Sequence, residues 1–103
     1  MNEIEKVEFR EYFKKDLDKL SNSFQKKFYK KVEKLEIKDT FSTRLFYKQR
    51  QVEMRKFRIG KYRFIFIRSL NIVTFVGVLW RNNEYQDNYL DQLIKIYKHG
   101  KNY

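Results

Sequence analysis

The stretch KFRIGKYRFIFI, residues 56 to 67, alternates β-forming side chains with cations at fixed intervals. Gly60-Lys61 supplies a two-residue loop with glycine first, where a type II′ hairpin turn needs positive φ. That turn sets a register: Ile59 faces Tyr62, Arg58 faces Arg63, Phe57 faces Phe64 and Lys56 faces Ile65. One face of the hairpin is then apolar, made by Phe57, Ile59, Tyr62, Phe64 and Phe66, while the other carries Lys56, Arg58, Arg63, Ile65 and Ile67. Arg58 and Arg63 are directly opposed, with Lys56 one diagonal away. Like charges so placed destabilise a strand pair. Either they are solvated edge charges that blunt aggregation, or an anion lies between them. Glu53 is the one acid nearby in sequence, so an outside anion such as a phosphate is the economical occupant, and guanidinium groups bind phosphate oxygens through two parallel hydrogen bonds.

The rest of the sequence narrows the chemistry. There is no Cys, and the single His99 lies near the end of the sequence, so a cysteine nucleophile or a serine–histidine pair is excluded. The carboxylates are scattered along amphipathic stretches with no clustered metal-ligand spacing, and no metal or cofactor is expected. Lys, Arg and Tyr remain. That set suits RNA cleavage, because the substrate brings its own nucleophile in the 2′-hydroxyl. The protein must take that proton, stabilise charge on the phosphorane and assist the departing 5′ oxygen. A lysine crowded by cations can have its pKa lowered enough to act as base, whereas arginines stay protonated and serve as electrostatic clamps.

The charge is placed where this chemistry needs it. The chain has 24 Lys plus Arg against 13 Asp plus Glu, a net charge of +11, which favours polyanionic partners. A Lys- and Asn-rich sequence without Pro also arises from base composition alone, so distribution decides. Residues 44 to 68 hold nine cations and one acid, while the other 78 residues hold 15 cations and 12 acids. Lys48, Arg50, Arg55, Arg58 and Lys61 in that segment are candidates for contacting RNA.

The elements that must hold these residues change period once along the chain. Phe13, Leu17, Leu20, Phe24, Phe28, Val32 and Leu35 recur at steps of three and four, the spacing of one helical face. Ser21-Asn22-Ser23 interrupts with N-cap chemistry, which predicts an antiparallel helix pair over about 11–20 and 23–36, with Lys26, Lys27, Lys30, Lys31 and Lys34 outward. Val7 and Phe9 alternate with Glu8 as a short preceding strand. From Arg44 the period becomes two. After the hairpin and a turn at Ser69-Leu70-Asn71, the near-continuous apolar run 71–80 reads as a central strand covered on both sides. A last helix is expected over about 86–98, with Leu90, Leu93, Ile94 and Tyr97 as its buried stripe. The expected fold is one α+β domain over residues 1–103: an N-terminal strand, a helix pair, an antiparallel three-stranded meander and a C-terminal helix, the helices packed on one face of the sheet. No run approaches 18 apolar residues and the start MNEIEKVEFR lacks a signal-peptide core, so a soluble cytoplasmic protein without membrane contact is expected.

MRKFRIGKYRFIFI, followed by an apolar strand and WRNNEY, resembles the RelE/ParE toxin superfamily, in which an R-x-G-x-Y-R hairpin and a short Arg-containing segment ending in Tyr recur. The strand and helix pair ahead of it extend the likeness over nearly the whole chain. The RelE branch consists of ribosome-dependent endoribonucleases whose catalytic set is basic residues and a Tyr. The resemblance maps that set onto Lys56, Arg63, Arg81 and Tyr85, with Arg55 or Arg58 in place of Lys56 if the strand is bulged. Tyr85 would stack on a base, orient the attacking sugar or anchor the last helix, and Trp80 would stack on a base or pack. The chain departs from the branch at Trp80, where His or Lys is common, and at Met54, where a second cation is usual. The resemblance implies a type II toxin with mRNA on the ribosome as substrate and a cognate antitoxin, the free toxin being monomeric. A ParE-like inhibitor of DNA gyrase that cleaves nothing is the alternative, and a non-toxic nucleic acid binding module is a third.

Overall fold

The computed structural model describes residues 3–36, 44–49, 52–80 and 89–103. Strand β1 (Lys6–Phe9) leads through Arg10 into α1 (Glu11–Asp18), and Ser21 then starts α2 (Asn22–Glu33), its hydroxyl accepting from the Phe24 amide at 3.4 Å. That cap is the N-terminal signal legible in Ser21-Asn22-Ser23. Strands β2 (Arg44–Gln49), β3 (Val52–Ile59), β4 (Tyr62–Ser69) and β5 (Ile72–Trp80) follow, and α3 (Tyr89–His99) closes the order. The sheet runs β1-β5-β4-β3-β2, with β1 parallel to β5 and every other pair antiparallel.

The α+β order is as expected, and two details differ. The meander has four strands rather than three, because β2 pairs with β3 from Arg44↔Lys56 to Gln49↔Val52 with a bulge between Leu45 and Tyr47. The connecting Arg50-Gln51 carries no Gly, Asn or Asp, so nothing in the sequence flagged a tight hairpin there. The helices also do not share one face. Phe13, Leu17 and Phe28 of α1 and α2 form one core with Phe57, Phe64, Phe66, Val73 and Phe75 of the sheet, whereas Leu93 of α3 joins Met54, Ile65, Ile67 and Val76 in a second core on the opposite face. The reason is the double-sided apolarity of β4 and β5: strands buried on both faces need cover on both. A bulge between Ile65 and Phe66 lets Val76 and Gly77 both serve the α3 side. A side chain at Gly77 would meet Leu93 Cδ2 at 2.9 Å, so glycine is what lets α3 approach this closely.

The first core is an aromatic stack. The ring of Phe28 lies 4.8 Å from Phe64, 4.9 Å from Phe75 and 5.4 Å from Phe13, and each of these rings is fully buried. Truncating any one to Ala costs about 3–5 kcal/mol. This rigid layer is what fixes the β3–β4 hairpin. Gly60 at its tip has φ 57°, and a Cβ there would meet Phe24 Cε1 at 2.8 Å, so the turn is both left-handed and pressed onto α2. The next turn has Leu70 at φ 54°, a conformation costly for a residue with a Cβ. Beyond α3, the chain end returns to β1: Tyr103 N donates to Phe9 O at 2.8 Å and Glu11 N to Lys101 O at 2.9 Å.

Candidate nucleic-acid interface

The hairpin register is the one its turn chemistry predicts: Ile59↔Tyr62, Arg58↔Arg63, Phe57↔Phe64 and Lys56↔Ile65. No bulge interrupts β3 against β4, so alternation holds throughout. Lys56 and Arg58 therefore share the α3 side of the sheet with Arg63, and the three line an open cavity of about 150 Å³ together with Phe57. Arg58 is exposed, while Lys56 and Arg63 are half-buried. Among the described residues no carboxylate forms an ion pair with Arg58 or Arg63.

Glu53 does not relieve this crowding. Three residues before Lys56, it is on the other face of β3, 4% exposed, where Arg55 binds it at 2.8 Å and Arg68 binds it from β4. Arg68 also donates to Leu70 O at 3.0 Å. Burial pushes the Arg55 guanidinium below its ordinary pKa. Arg55 is thus part of an internal ion triad and is not brought together with Lys56, Arg58 and Arg63. The sign of this was present in the alternation: Arg55 shares the parity of Phe57 and Ile59, the face that the aromatic core covers.

The remaining candidates divide. Lys61 is at the hairpin tip with its ammonium 6.0 Å from the Phe24 ring centre and 5.7 Å from that of Tyr62. Lys48 is exposed on β2 in register with Glu53, so it belongs to the triad's face and not to that of Lys56. Trp80 ends β5 in register with Tyr62, and Leu79 is in register with Arg63. Arg50, Arg81 and Tyr85 lie outside the described residues. Reasoning from the sequence missed Arg44, which begins β2 in register with Lys56 and so adds a fourth cation position to the row. Its signals were the cationic segment it opens and the start of the period-two pattern. Met54, where a second cation was in question, is fully buried beneath α3.

Lys56, Arg58 and Arg63 present two guanidinium forks and an ammonium to one volume. That arrangement can hold a phosphodiester through charge-assisted hydrogen bonds, and bring an amine to the sugar beside it. Among the described residues no three His, Asp or Glu side chains converge as a metal site, and no helix is long and apolar enough to cross a membrane.

No protein-family model matches the sequence, and no curated protein sequence is similar to it. Among solved structures, a chain of the archaeal RelE–RelB complex from Pyrococcus horikoshii OT3 matches with a TM-score of 0.69 at 16% sequence identity, over 79% of this chain and 99% of that one. The fold is therefore RelE-like.

Proposed function

We propose that this chain is the toxin of a type II toxin–antitoxin pair, a metal-independent endoribonuclease that cuts messenger RNA on the ribosome in the cytoplasm. The observation that carries the reading is Arg58 facing Arg63 beside Lys56, with the acid closest in sequence, Glu53, bound to two arginines on the far side of the sheet. Two opposed cations that no carboxylate of the described residues pairs with are a cost to the fold that a bound phosphate removes. The RelE-like fold and the hairpin motif point the same way.

In this reading Lys56 takes the proton of the substrate's 2′-hydroxyl, the 2′ oxygen bonds to phosphorus, and the bond from phosphorus to the 5′ oxygen breaks. Arg63 and Arg58 hold the phosphoryl oxygens as charge builds on them. Arg81 offsets charge at the departing oxygen, which takes its proton from water, and Tyr85 orients the sugar and base. Arg44, Arg50 and Lys61 line the path of the flanking RNA. The cognate antitoxin is a chain with an acidic, extended segment that covers the Arg58–Arg63 face, and the free toxin is a monomer.

The test is inducible expression of the wild type beside an Arg63→Ala, Arg81→Ala variant, with mRNA ends mapped on ribosomes and gyrase supercoiling assayed in parallel. Cuts within codons that vanish in the variant support the reading. Intact messages with inhibited gyrase select a ParE-like inhibitor instead.

A further inference from the structure

A second cationic surface lies on the opposite side of the sheet from Arg58 and Arg63. Lys26, Lys27, Lys30 and Lys31 on α2 and Lys34 at its C-cap are all exposed, and among the described residues none of the five has an ion-pair partner. Two of the three acids of α1 are engaged elsewhere, Asp18 with Lys14 and Asp16 with Lys19. Along the helix the cations form two rows at steps of four, 26-30-34 and 27-31, each step about 6 Å and the longer row about 12 Å. A groove of about 610 Å³ runs beside them, lined among the described residues by Ser23, Lys26, Lys27, Tyr29, Lys30 and Glu33.

The rows connect to the hairpin. The Phe24 ring has the Lys27 ammonium 5.5 Å from its centre and that of Lys61 6.0 Å away, so cations continue from α2 to the tip that carries Arg58 and Arg63 one pair further in. Lys31 lies 5.0 Å from the centre of the Phe57 ring, at the border between α2 and β3.

We propose that the outer face of α2 grips the sugar–phosphate backbone of a double-helical RNA segment, distinct from the strand held at Arg58 and Arg63; this rests on the reading of the chain as an RNA-directed toxin. Lysine supplies point charges on flexible stems, which suit phosphates and read no base. Single-strand binders add aromatic platforms for stacking, and the one aromatic among the described residues of the groove, Tyr29, is half-buried against Phe9 and Phe28 at 6.2 and 5.5 Å. A duplex, whose bases are hidden, needs no such platform. A membrane surface fits less well, because the apolar side of α2 is committed to the core through Phe28 and offers nothing to insert.

The test compares the full-length wild type with Lys26→Gln, Lys27→Gln, Lys30→Gln and with Arg58→Gln, Arg63→Gln, each checked for unchanged circular dichroism. Fluorescence anisotropy follows binding to an RNA duplex of about 16 base pairs, to an unstructured RNA strand and to vesicles of phosphatidylserine and phosphatidylcholine, over a range of KCl. For the duplex, the α2 variant should bind roughly tenfold more weakly, with a log–log salt slope shallower by about 2 to 3. The corresponding Lys→Arg triple variant should bind as the wild type does. The inference is overturned if the α2 variant keeps wild-type duplex affinity and slope, or loses only vesicle binding. Single-strand binding that falls in the Arg58, Arg63 variant while the duplex result is negative leaves the proposed function standing without this surface. A positive duplex result with single-strand binding and mRNA cutting intact in the arginine variant keeps this surface and removes the active-site reading.

Discussion

Arg58 and Arg63 stand opposite one another across β3 and β4, and among the described residues no carboxylate separates them. Stability and binding should therefore respond to them with opposite signs. Arg58→Thr puts a good strand former at an exposed position and removes the repulsion. Urea unfolding at low salt should show a gain of a few tenths to about 1 kcal/mol, shrinking as salt screens the wild-type pair, while affinity for single-stranded RNA falls.

Glu53 presents the reverse case. Replacing it by Gln leaves Arg55, 6% exposed, and Arg68 without their shared carboxylate. Removing one partner of a buried ion pair costs about 3–5 kcal/mol, visible as a lower urea midpoint with the slope unchanged. If enough stability remains for the variant to fold, its affinity for single-stranded RNA should match the wild type, because the triad lies on the other face from Lys56.

The second hairpin turn offers a gain. Leu70 is 62% exposed at φ 54°, so its side chain contributes little burial while its Cβ is strained. Leu70→Gly relieves that strain and loses some unfolded-state advantage. The net effect should be a stabilisation of about 0.5–1 kcal/mol, measured as a rise in thermal midpoint. No change, or a loss, would contradict a strained turn.

Acid stability should involve Glu8. Burial works to raise its pKa, but Lys6 at 3.1 Å and Arg10 at 3.2 Å outweigh this and hold the carboxyl below its ordinary value of 4.5. A depressed folded pKa means that the contribution is complete above the unfolded value and is lost as pH falls through the folded one. Glu8→Gln should therefore be less stable than the wild type near pH 7, with the difference closing below about pH 4.5. A difference that stays constant down to acid pH would contradict this ion cluster.

Much of the framework was legible because local signals and tertiary structure agree. Gly60-Lys61 fixed the register of Arg58 and Arg63, and the three-and-four spacing around Phe13 and Phe28 marked the helix pair. Leu90, Leu93, Ile94 and Tyr97 do face a core, but which face of the sheet they cover depends on how β4 and β5 expose apolar groups on both sides. Strand β2 was hidden because its link to β3 has no turn residues. The cluster of nine cations overstated the interface for a related reason: composition counts Arg55 and Arg68 with the rest, and only strand parity shows them turned toward Glu53. The pairing of β1 with β5 joins residues far apart in sequence, beyond the reach of periodicity.

The most direct measurement is single-turnover cleavage of a message bound in the ribosome, made once with natural RNA and once with a single 2′-deoxy nucleotide at the cut position. The account predicts that the natural message is cut by the wild type, that Arg63→Ala slows this by about 10² or more, and that the 2′-deoxy message stays whole. Cutting of the 2′-deoxy message, or an undiminished rate in Arg63→Ala, would contradict it.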